Sequence, residues 1–199
     1  MKDFIKIKVS LNDTKPQIWR RIQLHKNITF FELHHIIQIA MGWKNYHMFE
    51  FKIEGFRIGE IYDDEMLDGY YDKNSQYDCR TTKISDVITD IGETFQYVYD
   101  FGDYWKHTLE VEDDFNYSGD AIYPLCVAGD MACPVEDSGG IHGHYQNLEI
   151  LKDKKHPEYR DTKTWMPRGY DPQKFNLENV NKQLDKIDKY IFNWIKKHM

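Results

Sequence analysis

Two carboxylates and an imidazole fall within residues 100–107: Asp100, Asp103 and His107, with Trp105 between them. These types hold a divalent cation or move protons, so the cluster is a candidate for binding or acid–base work. They also have a structural use, because Asp stabilises turns through nearby amides and His107 falls on the apolar side of its pattern. A second concentration lies at 125–144, where Cys126, Cys133, His142 and His144 offer the two thiols and two imidazoles of a tetrahedral zinc site. The six residues between the two cysteines depart from the close spacing zinc sites favour, and small cysteines packing an irregular loop explain them more simply. Glu136 and Asp137 sit in the same stretch. If it folds over the 100–107 bend, these acids join Asp100 or Asp103, and a 1:1 divalent ion is then expected. The third candidate is Trp19-Arg20-Arg21. Arg beside Trp reads phosphate or stacks on a base, whereas half-buried sheet positions with snorkelling arginines give the same pattern.

Several familiar signatures fail. Asp100-Phe101-Gly102 spells a kinase tripeptide, but no glycine-rich loop, lysine strand or HRD loop accompanies it. Residues 64–75 start like a calcium loop at Asp64, Asp68 and Gly69, yet Met66 and Ser75 occupy ligand positions. Walker A, HExxH, GxSxG and dinucleotide fingerprints are all missing. His34-His35 cannot share a metal, since neighbouring helix residues point about 100° apart.

The elements that must position these residues are legible in outline. Residues 4–9 (FIKIKV) alternate as a strand, 12–16 turn, and 17–24 (QIWRRIQL) form a second strand with Ile18, Arg20, Ile22 and Leu24 on one side. Thr29 and Glu32 make a capping box ahead of a helix carrying Leu33, Ile36, Ile37 and Ala40 and stopped by Gly42. Residues 46–59 read as a hairpin with His47, Phe49, Phe51 and Ile53 on one side and a Glu54-Gly55 turn. Residues 94–114 form the strongest hairpin, bent at 101–103, with Gly102 free to take a positive φ. The stretch 116–144 lacks periodicity and reads as an ordered irregular loop. Helices are expected at 145–151 and 157–165, with Asp171-Pro172 as an N-cap and first turn. One long helix from about 176 carries Leu177, Val180, Leu184, Ile187, Ile191 and Trp194 in a stripe. Strands around one early helix, with helices gathered at the end, predict a single α+β domain over 1–199 with an antiparallel sheet. Its parts are a sheet with one helix at 4–114, a loop at 115–144 and a helical part at 145–199.

The 199 residues carry 26 Lys+Arg against 33 Asp+Glu, a net charge of -7. Bulk charge therefore does not favour non-specific nucleic-acid binding. A local basic face exists at Lys182, Lys186, Lys189, Lys196 and Lys197, interrupted by Asp185 and Asp188, and a solvated helix face accounts for it. Residues 60–72 hold six acids and no base, suited to a cation, a basic partner or plain solvation. With 14 Tyr, 11 Phe and 5 Trp the chain has the apolar area to fold. No apolar run approaches a membrane span, and the charged first ten residues do not make a signal segment. Three cysteines, Cys79, Cys126 and Cys133, suit reduced thiols in a cytoplasm.

Residues 16–24 (PQIWRRIQL), 40–43 (AMGW), 47–53 (HMFEFKI), 99–112 (YDFGDYWKHTLEVE), 123–140 (YPLCVAGDMACPVEDSGG), 156–158 (HPE) and 170–181 (YDPQKFNLENVN) occur in one order. Together they resemble the Ri-plasmid ORF-three-like domain family. The resemblance implies a passenger protein of plasmids and transposable elements, in a family with some members labelled TnpR resolvases and some fused to a LexA-type DNA-binding segment. It implies no catalytic residue. A serine resolvase needs a serine in an arginine-rich pocket and a helix-turn-helix tail, and neither pattern is present. The leading expectation is a non-enzymatic binding or adaptor module for a protein or small ligand, presenting Asp100, Asp103, Trp105, His107, Glu136 and Asp137. One alternative is a metal-dependent hydrolase built on the same acids and His107. Another is a DNA-associated accessory using Arg20, Arg21 and the terminal lysines. No organic cofactor is expected, and a divalent cation is the one group the donors offer to hold.

Overall fold

The computed structural model describes residues 2–61, 75–116 and 123–198. The acidic stretch at 60–72 and the calcium-loop look-alike at 64–75 thus lie almost entirely outside the described residues.

Strands β1 (Phe4–Leu11) and β2 (Ile18–His25) alternate buried and half-buried positions along their length, and pair antiparallel with Ile7 opposite Ile22 and Val9 opposite Arg20. Helix α1 (Phe30–Met41) starts at the capping box, where Glu32 N–H donates to Thr29 Oγ1 and Thr29 N–H to Glu32 Oε2. It is buried almost all round because it lies between the sheet and the C-terminal helices, with Phe31 and His35 against Trp194. Next come β3 (Phe49–Ile53), β4 (Phe56–Gly59), β5 (Gln76–Asp78), β6 (Thr94–Tyr99), β7 (Trp105–Phe115) and β8 (Leu125–Asp130). The chain ends in α2 (Gly140–Lys152), α3 (Tyr159–Trp165), α4 (Leu177–Leu184) and α5 (Ile187–His198). The fold is α+β. Among the described residues the eight strands make one sheet in the order β5-β4-β3-β6-β7-β1-β2-β8.

Five local expectations are corrected. The sheet is mixed, because β5 runs parallel to β4. Strand β8 emerges from the stretch expected to be irregular. Its pairing with β2 shifts register between Arg21 and Ile22, and Gly129 stands where a Cβ would come within 2.7 Å of Phe175 and 2.9 Å of Arg20. A bulge and an obligatory glycine erase the alternation that announces a strand. The terminal stripe is two helices broken at Asp185-Lys186, and Asp171 caps no helix: its side chain accepts Gln173 N–H in a turn. At the β6–β7 bend the positive φ angles belong to Asp100 (58°) and Tyr104 (56°), not to Gly102. No helix among the described residues is long and apolar enough to cross a membrane.

Candidate functional site

Strand β3 lies beside β6. This register brings the connection from α1 to β3, the β6–β7 bend and the turn before α2 to one corner of the sheet. The connection is held at every residue. Trp43 Nε1–H donates to Pro134 O at 2.9 Å, and Lys44 N–H donates to Glu136 Oε2 at 2.8 Å. Asn45 Oδ1 meets His34 Nε2 at 2.7 Å, and the Tyr46 and His47 amides donate to Tyr99 Oη at 2.9 and 3.4 Å. Tyr99 O–H in turn donates to Glu136 Oε1 at 2.6 Å. Burial, then the Glu136 carboxylate, push the Tyr99 hydroxyl pKa well up, so it stays a donor.

The partner bonds of His34 fix its proton. Asn45 Oδ1 only accepts, so His34 Nε2 carries the hydrogen, and Nδ1 accepts from Tyr97 O–H at 2.7 Å. Gln38 Nε2 donates to the same Tyr97 oxygen. His34 is fully buried, stacked on Phe49 at 3.5 Å, and burial holds its pKa well below the usual imidazole value.

The second wall is the bend. Asp100 N–H donates to Met48 O, and Asp100 O accepts Tyr104 N–H. Its Oδ1 accepts the amides of Gly102 and Asp103 at 2.9 and 3.3 Å, so Oδ2 is left facing the corner. The third wall is the turn before α2, where Asp137 takes φ 61°. Asp and Asn are the side chains that tolerate this left-handed region best. Gly139 N–H donates to Asp103 Oδ2 at 3.1 Å, and Gly140 lies so close to the bend that a Cβ would sit 2.6 Å from Asp103 O.

Into this frame His47 projects its Nε2, 3.0 Å from Asp137 Oδ1 and 3.5 Å from Asp100 Oδ2. The three donor atoms lie within 4.8 Å of one another, the one such His/Cys/Asp/Glu group among the described residues. Nε2 is buried and makes no hydrogen bond, although two carboxylate oxygens flank it. Tyr46, Met48, Phe101 and Tyr104 stand exposed on the segments that carry His47 and Asp100. A cleft of about 410 Å³ opens beside His47, lined also by Tyr46, Phe49, Arg80 and Trp194.

The structure brings Asp100, Asp103, Glu136 and Asp137 to this corner but divides their work. Asp100 and Asp137 face His47, while Asp103 and Glu136 are committed to the Gly139 amide and to Tyr99 and Lys44. Trp105 and His107 point away, into the core. His107 Nδ1 contacts Tyr97 O at 3.3 Å, and burial lowers its pKa to about 4, so it is a neutral core residue. Cys126, Cys133, His142 and His144 do not converge. Cys126 Sγ contacts Ala128 O, and Cys133 Sγ contacts Met41 Sδ. His142 is exposed, while His144 is buried with its pKa lowered to about 4.

Arg20 is 2% exposed. Its Nε–H donates to Ala40 O, Nη1 to Trp19 O and Asp130 O, and Nη2 to Met131 O and Cys133 Sγ. All five donors are spent inside the protein, and the guanidinium stacks on Phe175 at 4.0 Å. Arg21 is clamped by Glu112 through Nε and Nη2, beside the Trp19 ring. Arg20 has no donor left for a nucleic acid, and Arg21 is engaged by Glu112. The residue that sequence reasoning missed is His47, read only as the start of a strand side. Its partners come 53 and 90 positions later, and no local pattern signals such a meeting.

A family model described as plasmid pRiA4b ORF-3-like protein matches residues 3–179, which includes all three corner residues. The chain is 32% identical over 185 residues to uncharacterized protein y4hQ of Sinorhizobium fredii (strain NBRC 101917 / NGR234), covering 92% of this chain and 91% of the relative. It is similar to the crystal structure of a protein of unknown function, MM3350 from Methanosarcina mazei Go1. That match has a TM-score of 0.79 and 34% identity, over 90% of this chain and 98% of the other.

Proposed function

Because the chain belongs to the plasmid pRiA4b ORF-3-like family, and that membership brings no catalytic residue with it, we propose a function from the corner itself. The protein is a non-enzymatic binding module that captures a cationic ligand between Asp100, Asp137 and His47. One observation carries this reading: two carboxylate oxygens from separate segments converge on a single imidazole edge.

Three features support it. The frame is built in advance, since each residue of 43–47 is tethered, and a site ordered before binding loses less affinity to ordering. The net charge of -7 attracts cations. The exposed Tyr46, Met48, Phe101 and Tyr104 flank the acids with surface suited to the apolar part of a ligand. The hydrolase reading has less to stand on, because its imidazole, His107, lies in the core and Glu136 is fully engaged.

The test is calorimetric titration with divalent cations, spermidine and an oligo-lysine peptide. At least one should bind the wild type saturably and lose roughly tenfold or more in affinity with Asp137→Asn. A panel that leaves the wild type silent overturns the proposal.

A further inference from the structure

We propose that the His47–Asp100–Asp137 corner is a binding site for a first-row divalent transition-metal ion. This deepens the binding reading above and rests on it. Ligand atoms bound at about 2.0–2.2 Å with tetrahedral or octahedral angles sit roughly 2.8–3.6 Å from one another. Nε2 lies 3.0 and 3.5 Å from the two carboxylate oxygens, as edges of such a polyhedron require.

A second observation separates this from an ordinary ion pair. Nε2 is buried and meets neither carboxylate oxygen in hydrogen-bond geometry, although both lie within 3.5 Å. An ion seated between the three atoms would give it a partner. The Asp100 side chain is nine-tenths buried, and its hydrogen bonds are accepted by Oδ1, so Oδ2 is aimed into the corner without a donor. The walls also supply the outer support that orients metal ligands: Tyr99 Oη holds the His47 amide, and Glu136, next to Asp137, holds Tyr99.

The donor set narrows the ion. Calcium takes six to eight oxygens and magnesium an all-oxygen octahedron, neither of which uses an imidazole. One imidazole with two carboxylates suits manganese or zinc, with water on the open side, where Asp137 is 61% exposed.

The experiment titrates metal-stripped full-length protein with Mn²⁺ and Zn²⁺ by calorimetry. It compares wild type, His47→Gln, Asp137→Asn and the distant control Glu149→Gln, each with its circular-dichroism spectrum. Spermidine and the oligo-lysine peptide are run alongside. The expected result is 1:1 binding of one of the two ions, weakened tenfold or more by His47→Gln and by Asp137→Asn, and unchanged by Glu149→Gln. Asp137 is exposed and Asn tolerates its φ, so that variant folds even if His47→Gln does not. Metal binding indifferent to both corner variants overturns the inference. Spermidine or peptide binding that needs Asp137, with no metal bound, overturns it while leaving the binding module standing. Silence from every ligand overturns both.

Discussion

Arg20 shows how much a single residue decides. Its neighbours in sequence suggest a nucleic-acid contact, but its side falls with Ile18, Ile22 and Leu24, and the alternation that places those inside places Arg20 inside with them. A buried guanidinium is stable only if its whole fork is satisfied, and four carbonyls and a thiol do so. Lysine has three donors on a point charge and cannot span them. Arg20→Lys should therefore cost roughly 3 kcal/mol or more in urea unfolding, since buried carbonyls lose their donors. A loss below about 0.5 kcal/mol, the range of a surface change, would contradict this assignment. At this scale the sequence told the side of the strand but not the acceptors, which belong to β8 and the loop after it.

Among the elements, those with local signals were readable: the capping box before α1, and the β3–β4 and β6–β7 hairpins. Strand β8 was not, because its features answer to partners. Gly129 is small for Phe175 and Arg20, and the register shift answers to β2. The corner had the same mixed legibility. Asp100 stood out as a turn carboxylate and Asp137 as an acid of the loop expected to fold over it, whereas His47 enters only through the neighbouring of β3 and β6. The contact of the turn before α2 with the β6–β7 bend depends on Gly140, which has φ 68° and no room for a Cβ. Gly140→Ala should push this turn from the bend, weaken metal binding several-fold and cost about 1–3 kcal/mol. Unchanged affinity measured by the same titration would show that Asp137 does not depend on that contact.

For the whole molecule, the core carries four buried imidazoles, His34, His35, His107 and His144. Burial lowers His35, His107 and His144 to about 4 and His34 well below its ordinary value. The unfolded chain takes up protons near pH 6.5 while the folded one refuses them until about pH 4. Stability is therefore full above about pH 6.5 and falls as pH drops toward 4. Each tenfold loss of proton affinity is worth about 1.4 kcal/mol, so urea midpoints should decline steeply across this window. A flat profile from pH 7 to 4.5 would contradict the neutral core histidines.

The fold holds three distant segments at one corner, and diffraction tests the proposed metal site there most directly. Crystals grown with Mn²⁺ or Zn²⁺, measured above the metal absorption edge, should show one anomalous peak within coordination distance of His47 Nε2, Asp100 Oδ2 and Asp137 Oδ1. No peak there, or a peak only at unrelated surface groups, would contradict it.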